Sequence, residues 1–140
     1  MRTRPFIIAT FAVITSACSQ QDKRPRVNED SVVGLWISDT LIGTDAARRL
    51  YRLRMARGGM AELSSAVVGS APVVERGTWD GADSLVRVVV RGASTASRPS
   101  SILLAVRGTR LGMVSFDTTA WGPRGLTLYR QAGPADSATP

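Results

Sequence analysis

A chain of 140 residues with no histidine and a single cysteine has few routes to covalent or metal chemistry. Zinc, copper and haem centres draw on imidazole and thiolate, so their usual ligands are missing. Ser-His and Cys-His hydrolases would lack their base. The 11 carboxylates lie mostly in polar stretches. In "TWDGADS", Asp80 and Asp83 read as turn formers beside Gly81 rather than as a general acid and base. The same stretch lacks the further oxygen ligands that calcium needs. Gly112 and its neighbours form no phosphate loop. These residues lead us to expect a protein that is not an enzyme and carries no metal or cofactor.

Cys18 is then the one reactive side chain whose position needs a reason. It sits where the apolar run "FIIATFAVITSA" gives way to the polar "SQQDKRPR". Arg2 and Arg4 precede that run as a positive n-region, and Ser16 and Ala17 supply small residues before the cysteine, which is the layout of an export signal. Phe6 to Ala17 falls well short of the roughly 20 residues that a helix needs to cross a bilayer. A lone thiol is unusual in an exported protein unless it has a modification to accept. The segment Ile14-Thr15-Ser16-Ala17-Cys18 resembles the lipobox of bacterial lipoproteins. That resemblance implies cleavage before Cys18, an acyl lipid such as palmitate on Cys18, and attachment to a membrane of the cell envelope. Ser19, where aspartate would signal retention in the inner membrane, implies the periplasmic face of the outer membrane. The alternative is an ordinary secretory leader cut near Ala17 that leaves Cys18 as a free thiol.

Four segments follow: a signal peptide over 1–17, a lipidated N-terminus and disordered tether over 18–31, a β-barrel domain over 32–130 and a disordered tail over 131–140. The tether carries Val27 as its one apolar residue among charges and a proline, so it has nothing to bury. Lys23, Arg24 and Arg26 could touch anionic headgroups there. Basic residues outnumber acidic ones 18 to 11, and loss of Arg2 and Arg4 with the leader lowers the +7 balance by two. A mild excess of that kind gives attraction to anionic surfaces, and no nucleic acid partner is expected for an exported chain.

The elements that would position any site are strands. From residue 31 to 130, runs of valine, leucine and aromatics alternate with glycine, aspartate and serine at roughly ten-residue intervals, the pattern of an all-β meander. Eight strands are predicted, approximately over 32–38, 49–56, 60–65, 73–79, 85–91, 102–106, 111–116 and 126–130. The second competes with a helix, because Thr44 or Asp45 could cap it and Gly58 could stop it. Register favours the strand. With Arg57-Gly58-Gly59 as a hairpin loop, Met55 faces Ala61, Arg54 faces Glu62 and Leu53 faces Leu63, so like meets like on one face and opposite charges meet on the other. A short helix over 45–49 stays compatible. Asp80-Gly81 and Asp83-Ser84 mark a second hairpin turn and Gly108 a third. Consecutive hairpins make a small antiparallel up-and-down sheet, and eight strands close most simply into a barrel that leaves no sticky edge.

Gly34-Leu35-Trp36, the Gly58-Gly59 hairpin, Gly77-Thr78-Trp79 and the final Leu128-Tyr129-Arg130 together resemble small lipocalin-like β-barrel lipoproteins, and most of all the N-terminal barrel of copper-resistance, envelope-stress lipoproteins. That resemblance implies a Trp36–Arg130 pair closing the barrel, the first-strand tryptophan packing under an arginine of the last strand. The family's paired cysteines after the first strand are replaced here by Thr40-Leu41-Ile42-Gly43, so no metal or redox role carries over.

Two functions of different class fit. One is a structural or protein-partner-binding envelope module whose barrel is filled by its own side chains; the other is a lipocalin-like binder of a small apolar ligand. Tyr51, Leu53, Met55, Leu63, Trp79 and the Val86, Val88, Val90 face would line a narrow cylinder with large groups, which favours the first. Trp121, in the loop "DTTAWGPRG", is the candidate partner contact if exposed. The polar connection 92–100 reads as solvated slack.

Overall fold

The computed structural model describes residues 27–42, 48–94 and 98–132. The expected leader, Cys18 and the tether up to residue 26 lie outside the described residues, as does the tail from 133. Nine strand segments, all paired antiparallel, form the sheet: β1 Gly34–Ser38, β2 Leu41–Ile42, β3 Arg48–Ala56, β4 Met60–Val67, β5 Val73–Ala82, β6 Leu85–Arg91, β7 Ser100–Arg107, β8 Arg110–Ser115 and β9 Thr127–Arg130. Neighbours follow chain order from β3 to β9. Then β1 joins β9 on one side and β3 on the other, which closes the barrel. Both β1 and β2 pair with β3, so they are two halves of one interrupted strand and the barrel has eight staves. Where the ladder breaks after Ile37, the Tyr51 N–H finds no carbonyl and donates instead to Ser38 Oγ (3.0 Å). A side chain thus replaces the missing backbone acceptor.

Alternation does most of the building. Along β3 the buried Leu53 and Met55 alternate with exposed Arg52, Arg54 and Ala56, and along β6 the buried Val86, Val88 and Val90 alternate with exposed Leu85, Arg87 and Arg91. The expected register holds: Leu53 pairs Leu63, Arg54 pairs Glu62 and Met55 pairs Ala61. Gly58 and Gly59 take φ +78° and +79° in the loop between them, a region that glycine enters freely. Inward residues from around the barrel, among them Trp36, Leu53, Leu63, Trp79, Val88, Leu104, Leu111 and Leu128, merge into a single buried cluster. Trp36, Leu104 and Leu111 expose no surface at all.

Several sequence expectations need correction. The first strand begins at Gly34 rather than residue 32, because Asn28 caps a one-turn helix, α1 Glu29–Val32, by accepting from Asp30 N (3.0 Å). Tether does not extend to residue 31: Val27 and Val32 are buried in the barrel core, and Val27 N donates to Gly81 O (3.3 Å). An alanine at position 81 would place its Cβ 2.2 Å from Val27 Cγ1, so that glycine makes room for the entering chain. Asp80-Gly81 is strand, not turn, since β5 pairs with β6 as far as Ala82–Leu85. The turn is Asp83-Ser84 alone, with Asp83 at φ +56°. The proposed short helix over 45–49 fails at its described end, because Arg48 and Arg49 pair with Ile42 and Leu41 in the sheet.

Candidate functional site

The two ends of the barrel differ in chemistry because they differ in connection length. At one end lie the tight hairpins after β3, β5 and β7, together with α1. At the other lie the longer connections after β2, β4, β6 and β8.

The tight end is a latch. The buried Trp36 indole N–H donates to Val32 O (2.8 Å), and the Arg130 guanidinium lies over the Trp36 ring at 5.3 Å. Arg130 is also the register partner of Trp36 across β1 and β9. Its guanidinium donates to the carbonyls of Asp30 (2.9 Å), Ser31 (3.5 Å) and Val33, oxygens at the C-terminal turn of α1 that lack partners within so short a helix. Arg57, from the β3–β4 hairpin, pairs with Asp30 and with Glu29 (3.8 Å). Gln131 N adds a bond to Leu35 O (2.9 Å). The Gln131 bond ties the end of β9 to β1, and the other contacts hold α1 over the barrel end, so Trp36 and Arg130 are engaged in structural contacts.

The opposite end is a mouth. Trp121 closes a second one-turn helix, α2 Thr118–Trp121, capped by Asp117 Oδ1 accepting from Thr119 N (2.8 Å). The condition attached to Trp121 as a partner contact, exposure on its loop, is met only in part. Trp121 is half-buried against the core, with its ring 5.2 Å from Tyr51 and tilted by 51°. Ser38 Oγ, beside them, donates to Asp39 O (2.8 Å). Alternation puts Leu41, Arg49 and Val67 on the same inward register as Tyr51 at this rim. Glu75 is half-buried and pairs in register with the buried Leu63, which places a carboxylate at the inner lip. On the β4–β5 connection Val68 and Val73 are 62% and 63% exposed. Among its described residues the mouth therefore offers an aromatic pair, aliphatic groups and a few hydrogen-bonding atoms, but no nucleophile hydrogen-bonded to a base. Among the described residues no group of three or more Cys, Asp or Glu could hold a metal ion.

Trp36 and Arg130 are brought together, Trp121 stands at the far end with Tyr51, and Cys18 lies outside the described residues. Sequence reasoning missed Val27, Arg57 and α1. Their signal was present in Asn28-Glu29-Asp30, a capping residue followed by first-turn acids. A search with family models, curated proteins and solved structures finds no match to this chain.

Proposed function

We propose that this chain is a non-enzymatic lipoprotein of the bacterial cell envelope, anchored through an acyl lipid on Cys18, whose barrel serves as a structural or protein-partner-binding module on the periplasmic face. The observation that carries the module reading is the core. Trp36, Leu53, Met55, Leu104, Leu111 and Leu128 each expose less than 2% of their surface, which supports a barrel packed with its own side chains over one that holds a deep cargo. The anchor half of the reading rests on Cys18 and the leader in front of it. A partner would meet the mouth, where Trp121, Val68 and Val73 combine apolar surface with a rim of polar connections.

The anchor is tested by mass spectrometry of the protein isolated from the membranes of a producing bacterium. The expected mature chain starts at Cys18 and carries fatty acyl mass, and a Cys18→Ser variant loses that mass and leaves the membrane fraction. A chain that starts elsewhere with a free thiol at Cys18 would refute the anchor.

A further inference from the structure

One wall of the barrel differs from the rest in how it treats charge. Strands β7, β8, β9, β1 and β3 contain no aspartate or glutamate. Across them runs one continuous register row: Arg107 pairs Arg110, Arg110 pairs Tyr129, Tyr129 pairs Ile37 and Ile37 pairs Arg52. The three arginines of that row are exposed. None of the three has an acidic partner among the described residues, in contrast to Arg57 and Arg76. Arg110 lies over the Tyr129 ring at 5.7 Å, and Leu35 adds exposed apolar surface one row away. On the β4–β6 wall acids accompany the arginines: Arg76, which stands opposite Arg91, pairs with Glu62 (3.0 Å), and Arg87 stands in register with Asp80. Like charges directly opposite each other, as at Arg107 and Arg110, are unfavourable unless an anion lies between or above them.

We infer that the outer face of β8, β9, β1 and β3 docks on an anionic bilayer surface. Arginine forks suit lipid phosphate, and Tyr129, Ile37 and Leu35 suit the headgroup boundary. The chain's entry supports that partner over an acidic protein, in part on the strength of the Cys18 anchor proposed above. Val27 sits at the tight end of the barrel against Gly81, beside the β5–β6 hairpin and at the same end as the Arg107–Arg110 hairpin. Nine residue steps from Cys18 to Val27 reach at most about 30 Å. A barrel on so short a leash stays within contact of the bilayer.

The test uses the unlipidated chain from Ser19 onward, which keeps every described residue, and sedimentation with vesicles of phosphatidylglycerol and phosphatidylcholine or of phosphatidylcholine alone. Binding to the anionic vesicles is expected, and it should weaken with salt. The triple variant R52Q/R107Q/R110Q should lower it on the order of a hundredfold, at about fivefold per arginine. A control triple of equal charge on the other wall, R76Q/R87Q/R91Q, should lower it less than about fivefold by the same scale. Should the row triple fail to fold, the three single variants give the same comparison at about fivefold each. Equal losses in both triples, no binding of the parent to anionic vesicles, or retention by an acidic polymer but not by vesicles would each overturn the inference. Because no lipid on Cys18 is involved, failure here is distinct from failure of the anchor.

Discussion

Trp36→Ala is expected to destabilise the barrel by about 4 kcal/mol, the middle of the range for deleting a buried large aromatic side chain. The loss has three parts. The indole exposes no surface, so its removal leaves a void that the rigid strand ladders on either side cannot close. The Val32 carbonyl loses its donor at 2.8 Å, and the Arg130 guanidinium loses the ring beneath it. A domain of this size typically holds about 5–15 kcal/mol in all, so much of the population would unfold under mild stress. Trp36→Phe separates the parts: it keeps a ring for packing and for Arg130 and gives up the hydrogen bond, at a cost of about 1–2 kcal/mol. Urea midpoints followed by circular dichroism check both. An alanine variant within about 1 kcal/mol of the parent would mean that the latch is dispensable.

The second large effect comes from adding one carbon. At Gly77 an alanine Cβ would stand 1.8 Å from the Val89 carbonyl oxygen, 2.8 Å from the Val89 carbonyl carbon and 2.9 Å from Val90 Cα. All three are backbone atoms of β6, whose Val90 pairs with Gly77, so no rotamer change relieves the contact. The two strands must part, which breaks ladder bonds next to the core residues Val88 and Val90. Gly77→Ala is therefore expected at or above the upper end of ordinary overpacking, about 3 kcal/mol or more. Gly58 provides the contrast. It has open space around its missing Cβ but a φ of +78°. Gly58→Ala meets only left-handed strain, about 1 kcal/mol. Because the Gly77 clash is with main chain, shortening the neighbour in a Gly77→Ala/Val89→Ala double variant should restore nothing. Recovery of the urea midpoint in that double variant would show that the side chain, not the backbone, sets the limit.

The strands were legible because local chemistry and tertiary demand agree in them. The arginine and apolar alternation of residues 50–55, the Gly58-Gly59 loop and the Leu53–Leu63 register all point to one hairpin, and that is the hairpin found. Legibility failed where a short segment is recruited by packing that sequence cannot weigh. Val27 looks like a stray apolar residue among charges, and only the space above Gly81 makes it core. Asp80-Gly81 has turn composition, yet its pairing with Arg87 and Val86 keeps it extended and moves the turn to Asp83. Trp121 sits among glycine and proline, a context that leaves its exposure open. Tyr51, seventy residues earlier in the chain, supplies the ring that draws it inward. Each case is a long-range contact deciding what local preference could not. Of the expected site, Trp36 and Arg130 could be paired in advance by resemblance. The latch around them could not, since it depends on α1 and on where Arg57 points.

The central claim is that the barrel is occupied by its own side chains and carries no cargo. It is tested most directly by weighing the protein, recovered from the envelope of the cells that make it, under native and under denaturing conditions. The account predicts the same mass in both spectra, equal to the chain with its covalent modification. A stoichiometric excess present only in the native spectrum would contradict it and would make the mouth at Tyr51 and Trp121 the entrance to a ligand site.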